Sequence, residues 1–255
     1  MLSLDDYDPA EVLALLTHYG HASFDYLVTP NTDHVIRYHD DPAFRELYAQ
    51  ARYVLLDSRV VAGILRLTRG MHAHVCPGSD LTASVLSMLS PHDRVVLIGA
   101  SAAQAQRVAE RYGLRDLQHY SPPMGFIRDQ AAVERTLRFV EQHSPFRFCF
   151  LAVGSPQQEL LACELRRRGI ARGFALCIGA SIDFLTGAER RAPRWMQRLG
   201  TEWLYRLLQN PGRMARRYLL RGPRIFLLLP SMQVQLRRAT TTAAAGGTAS
   251  RERIG

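Results

Sequence analysis

Five short apolar runs, each stopped by turn-forming or polar residues, constrain this chain more than any other feature. They cover residues 24–28, 53–56, 94–98, 148–153 and 174–178. They end at Thr29-Pro30-Asn31, Asp57, Gly99-Ala100-Ser101, Gly154-Ser155-Pro156 and Gly179-Ala180-Ser181. A strand that is apolar on both faces must be covered on both, and this is the habit of parallel sheets flanked by helices. The intervening segments have helical character. Asp41-Pro42 opens one through residue 52. Others run over 60–67, ending near Gly70, from Gly78-Ser79-Asp80 to about residue 89, and to Arg111, with two more over 130–142 and 157–168. The pattern predicts an α/β fold, a Rossmann-like and mostly parallel sheet with helices on both faces.

Loops beyond the C-terminal ends of such strands are where these folds bind ligands. No G-x-G-x-x-G string follows the first strand, so a dinucleotide site has no support. The four cysteines, at 76, 149, 163 and 177, form no C-x-x-C pair and are read as core. His72 and His74 have no third ligand at sensible spacing, so no metal site is expected. No signal peptide and no apolar run long enough to cross a bilayer are found, which points to the cytoplasm.

The style changes after Thr186, where strands are expected to end. All 32 basic residues are Arg. Residues 1–189 hold 18 Arg and 21 acids, a net of −3, while residues 190–255 hold 14 Arg and 2 acids, a net of +12. The reading is therefore a catalytic domain over 1–189, a basic helical appendage over 190–236 and a flexible tail over 237–255. Such a basic segment suits an anionic partner. Its interleaved Trp, Tyr and Leu suit a membrane interface or nucleic acid, and a solvated basic face is the plain alternative.

Several strand-end residues can carry chemistry. Asp57 is either a general base for a sugar hydroxyl or a helix cap. Thr29 and Asn31 flank a stiff Pro30 and either bind a ligand or cap the next helix. Gln158, beyond 154–156, reaches a sugar or uracil edge or merely joins strand to helix. Ser79 and Asp80 present a helix start to a phosphate or ribose, or simply cap it.

Taken together, the strings resemble the WecG/TagA/CpsF glycosyltransferase family. They are TPNTDHV (29–35), LLDSRVV (55–61), PGSDL (77–81), VGSPQQE (153–159) and the long segment 178–219. The resemblance implies an inverting, metal-independent enzyme without a cofactor. It would move a sugar from a UDP-sugar to a polyprenyl-diphosphate-linked sugar in bacterial surface or exopolysaccharide synthesis. It makes Asp57 the base, has Thr29, Asn31 and Gln158 shape the site, and closes Arg206, Arg213 and Arg216 over the diphosphate. It also implies a cytoplasmic, peripheral place on the anionic inner face of the membrane and no nucleic-acid partner.

Three positions depart from the family pattern. Ser58 stands where the family usually has Gly after the Asp, Val75 where it usually has Arg, and Thr201 where it usually has Leu. The donor is therefore open among N-acetylmannosamine, its uronate and glucose. A nucleic-acid-binding basic protein and a catalytically degenerate family member are the competing readings.

Overall fold

The computed structural model describes residues 1–19, 23–190, 192, 193, 195, 196, 201–209 and 211–238. Among these, the side chains of Arg206, Arg213, Met214, Arg216, Arg217 and Tyr218 are outside the described part. The chain begins with β1 (Leu2–Asp5), α1 (Pro9–Thr17), β2 (Asp25–Val28), α2 (Thr32–Asp40), α3 (Pro42–Ala49) and β3 (Tyr53–Val54). Then come α4 (Arg59–Arg69), α5 (Gly78–Ser87), β4 (Val95–Gly99), α6 (Ala102–Tyr112) and β5 (Leu117–Tyr120). They are followed by α7 (Gln130–Gln142), β6 (Phe148–Ala152), α8 (Gln157–Arg168), β7 (Phe174–Cys177) and α9 (Ser181–Leu185). The C-terminal part contains α10 (Glu202–Gln209), α11 (Pro211–Ala215), a π-helical turn (Arg216–Arg221), a 3₁₀ turn (Gly222–Arg224), α12 (Ile225–Ser231) and β8 (Val234–Arg237).

Six strands form one parallel sheet in the order β3-β2-β7-β6-β4-β5. Alternate residues of each strand enter two separate cores. Tyr26, Val28, Val96, Ile98 and Leu151 pack against α2, α3, α4, α7, α8 and α12. Leu27, Leu55, Leu97, Phe150 and Leu176 pack against α1, α5, α6 and α9. Each large side chain so buried is worth about 1.5–3 kcal/mol. This double burial explains the unbroken apolar runs and bears out the expected fold class. Cys76, Cys149 and Cys177 are buried in these cores and Cys163 is half-buried; all four are free thiols.

Several local expectations need correction. β5 lacks an apolar run because this edge strand is half-buried throughout. β1, α1 and α2 also lie where no element was read, and α3 stops at Ala49 rather than 52. Strands do not end by residue 186, because β8 pairs in parallel with β1, Leu2 opposite Val234 and Asp5 opposite Arg237. The basic segment is thus helical only to Ser231, and its last described stretch is strand; residues 239–255 lie outside the described residues.

Side-chain ties hold the C-terminal end to the body, among them Arg238 with Glu11 of α1. Asp5 accepts the Val54 N–H at 2.7 Å and pairs with Arg237 at 3.1 Å, so one carboxylate joins β1, β3 and β8. Burial raises its pKa, and Arg237 opposes the rise. Arg69, in the last turn of α4, donates to the carbonyls of Leu229 at 2.9 Å, Pro230 at 3.1 Å and Met232. These are C-terminal carbonyls of α12, which a cation naturally satisfies. Arg224 binds Asp40, at the end of α2, through two hydrogen bonds of 2.8 and 3.0 Å. Between these ties Ile225 and Leu229 are buried.

Candidate active site

The C-terminal ends of the six parallel strands share one rim. At its β2–β3 corner, three segments interlock. The Asp57 N–H donates to the Pro30 carbonyl at 3.0 Å, continuing the β2–β3 ladder past the strand ends. The Cys76 N–H donates to the Leu56 carbonyl at 2.7 Å, which brings α5 alongside. At Gly78, the first residue of α5, an added Cβ would lie 2.8 Å from Thr29 Oγ1 and 3.9 Å from Asp57 Oδ2. The bare glycine lets a hydroxyl, a carboxylate and a helix start converge. Burial pushes the Cys76 thiol up to about 12, and the nearby Asp57 and Asp80 carboxylates add to the shift. Cys76 is therefore a packed thiol and not a nucleophile.

The capping question at this corner has a definite answer. Ser58, not Asp57, is the N-cap of α4, accepting the Val61 N–H at 3.2 Å. Asn31 is the N-cap of α2: its Oδ1 accepts from Asp33 N at 3.0 Å and His34 N at 3.4 Å, and His34 reaches back to the Asn31 N–H. Ser79 and Asp80 are not caps. Pro77 occupies the cap position of α5, without a side-chain cap bond, and Ser79 and Asp80 lie in the first turn. Asp80 is exposed, and Ser79 and Asp57 are half-buried. Val75 packs against the core, so apolar contact replaces the cation usual at that position.

The centre of the rim is held by a different set. Gly99 and Ala100 both have left-handed backbone, with φ of 92° and 60°. At Gly99 an added Cβ would meet the Ala152 carbonyl oxygen at 2.5 Å, so glycine is required for β4 and β6 to end this close. Ala100 carries strain that a glycine would not. Gln158 was expected to face the cleft, but it is 2% exposed. Its Oε1 accepts the Gly179 N–H at 2.8 Å and its Nε2 donates to Glu159 Oε1 at 2.9 Å. Its place on the inner side of α8 points it beneath the β7–α9 turn. From the other side, Gln104 of α6 donates to Asp183 of α9 at 2.7 Å. Sequence reasoning named Gly78 and Ala100 only within turn strings; it missed the close approach of Gly78 to Thr29, the left-handed backbone of Ala100 and the Gln104–Asp183 tie.

The structure thus brings Thr29, Asn31, Asp57, Ser79 and Asp80 into one corner and places Gln158 beneath the neighbouring turn. The side chains of Arg206, Arg213 and Arg216 lie outside the described residues. Among the described residues, no group of three or more His, Cys, Asp or Glu has metal-binding geometry. No described helix is long and apolar enough to cross a membrane.

Comparison with known families places the chain among the glycosyltransferases. The matching model is that of the Glycosyl transferase WecG/TagA/CpsF family, over residues 1–240, and the chain belongs to this family. It is an enzyme of the hexosyl-transferring kind. A protein of Bacillus spizizenii (strain W23) is 26% identical over 221 residues, 83% of each chain. That relative is named N-acetylglucosaminyldiphosphoundecaprenol N-acetyl-beta-D-mannosaminyltransferase. Among solved structures, SulA from Pseudomonas aeruginosa matches 61% of this chain and 98% of its own, with a TM-score of 0.26 and 13% identity. That likeness is too low to carry an argument.

Proposed function

We propose that this enzyme transfers a hexose from a UDP-sugar to a sugar linked to a polyprenyl diphosphate, with inversion, in building a bacterial surface or exopolysaccharide. The observation that carries the reading is the convergence of Thr29, Asp57 and Gly78 at the strand-end rim, in a chain of this family. The relative's name supports the acceptor class, and N-acetylglucosamine-diphosphoundecaprenol is the first acceptor to try.

In this mechanism an acceptor hydroxyl attacks the anomeric carbon of the donor. Asp57 takes the hydroxyl proton as the new glycosidic bond forms. The bond from the anomeric carbon to the UDP oxygen breaks, and UDP leaves with the electron pair. Thr29 and Asn31 hold donor or acceptor hydroxyls beside Asp57, and Ser79 and Asp80 bound the same corner. Gln158 acts indirectly, by holding the Gly179 turn. Arg206, Arg213 and Arg216 neutralise the charge that grows on the departing diphosphate.

The enzyme works peripherally on the inner face of the membrane. Support comes from the exposed apolar side chains gathered in the basic C-terminal part: Trp195, Leu208, Leu219, Leu220, Phe226 and Leu227. Arginines beside them add about 1 kcal/mol each at an anionic surface. The test is transfer by purified protein to lipid-diphosphate-linked N-acetylglucosamine from UDP-N-acetylmannosamine, its uronate or UDP-glucose. Product with one donor is expected. Salt-sensitive nucleic-acid binding without any product would replace this reading with the basic-protein alternative.

A further inference from the structure

Ser58 and Thr32 make a contact that the capping of α4 does not require. Thr32 is the first residue of α2, directly after the Asn31 cap, and its Oγ1 lies 3.0 Å from Ser58 Oγ. Ser58 is buried, 7% exposed. Its oxygen also accepts the Val61 N–H. One hydroxyl therefore serves two helix starts, capping that of α4 and bridging to that of α2.

The bridge runs beside the site's carboxylate. Asp57 is bonded to Pro30 through its main chain, and Ser58 is bonded to Thr32 through its side chain. Two adjacent residues of the β3–α4 loop are thus pinned to the β2–α2 loop, one by backbone and one by hydroxyls. On the far side, Gly78 stands against Thr29 and Asp57. With glycine at position 58 the side-chain pin and the cap would both vanish, and the loop would gain backbone freedom.

We propose that the Thr32–Ser58 hydroxyl pair is a positioning device for this chain's own reaction: it fixes the Asp57 carboxylate relative to Thr29 and the α2 start. The proposal rests on Asp57 being the base. Neither hydroxyl touches the reacting atoms; the pair acts through the angle at which Asp57 is presented. Misplacement of a reacting group by about 1 Å costs up to roughly 100-fold in rate. Loss of one pin of two should move Asp57 by less, so about a tenfold fall in kcat is expected.

Thr32→Val is the decisive variant, because it removes one hydroxyl isosterically and leaves the Ser58 cap of α4 intact. Two readouts are used: transfer from the three UDP-sugars named above, and hydrogen exchange of the Asp57 amide. Expected for Thr32→Val are faster exchange at the Asp57 amide, unchanged exchange in the central strands, and a kcat lowered about tenfold with donor KM within about twofold. Thr32→Ser should restore both. Adding Thr32→Val to Ser58→Ala should lower kcat no further than Ser58→Ala alone, since the pair is already broken. Unchanged exchange at Asp57 overturns the proposal whatever the turnover. Faster exchange with wild-type kcat also overturns it, since the pair would then be only structural. An Asp57→Asn control separates the two failures: full activity there sinks the base assignment rather than the tether. Should no donor be turned over, the exchange result alone decides the tether.

Discussion

Gln158 and Gly179 are joined across the rim, the Gln158 Oε1 accepting the Gly179 N–H at 2.8 Å. This bond fixes the turn that launches α9 from the end of β7. Gln158→Ala removes it and leaves the half-buried Gly179 N–H and the buried Glu159 Oε1 without the amide that holds them. A loss of about 2–3 kcal/mol in unfolding free energy is expected from urea denaturation. A change below about 0.5 kcal/mol would show that the turn holds without Gln158. A Gln158 that reached into the cleft for a sugar or uracil edge would instead leave stability little changed.

Glu159 gives the protein a distinctive dependence on pH. It is fully buried, and burial pushes its carboxyl up to about 7 from an ordinary 4.5, against the hydrogen bond from Gln158 and the charge of Arg37, both of which lower it. Tyr48, also buried, faces it from α3. Between pH 4.5 and 7 the folded state keeps a proton that the unfolded chain has lost. Stability from this group therefore falls as pH rises through that window and is flat above it. The full span is about 3 kcal/mol. Asp5 and Asp25 are raised in the same direction, so the informative quantity is a difference. Glu159→Gln should be less pH-dependent than the wild type over that window, and parallel curves would refute the assignment.

Asp57→Asn should keep the fold and lose about 10²–10⁴-fold in turnover, because the amide cannot take the acceptor's proton. Ser58 provides the α4 cap, so melting temperature should barely move. Near-wild-type turnover would redirect the search to Asp33 or Asp80.

Gly78→Ala tests the close approach at the corner. The helix itself favours alanine, so stability should change little. The new methyl would stand 2.8 Å from Thr29 Oγ1 and force that hydroxyl to move. Turnover should drop by about tenfold or more, with circular dichroism and melting close to wild type. Equal loss of stability and activity would mean that the corner fails as packing instead.

The membrane face can be tested without opening the core. Deleting everything after residue 190 would strip Ile225 and Leu229 from the body, so surface changes are the cleaner probe. Leu220 and Leu227 are 71% and 80% exposed. Leu220→Ser with Leu227→Ser should reduce flotation with phosphatidylglycerol vesicles severalfold while leaving melting unchanged. Undiminished flotation removes these residues from the membrane contact.

The sheet's central strands were readable from residues alone because both faces of β4, β6 and β7 are buried, and a doubly buried strand is written as an unbroken apolar run. Asp57, Thr29 and Asn31 were readable as rim residues for a related reason: each follows such a run, and the ends of parallel strands lie at one rim. Half-buried β5 and the paired terminal strands β1 and β8 were not readable, since their partners are distant in sequence and their residues alternate or mix. Whether Gln158 faced the cleft or the core depended on how α8 lies on the sheet. Whether Asp57 or Ser58 capped α4 depended on where the β3–α4 loop met the start of α2. Local sequence sets what each backbone segment favours and which surfaces must be buried. The direction of a side chain at a rim is decided by how separately encoded elements pack, and only the tertiary structure holds that information.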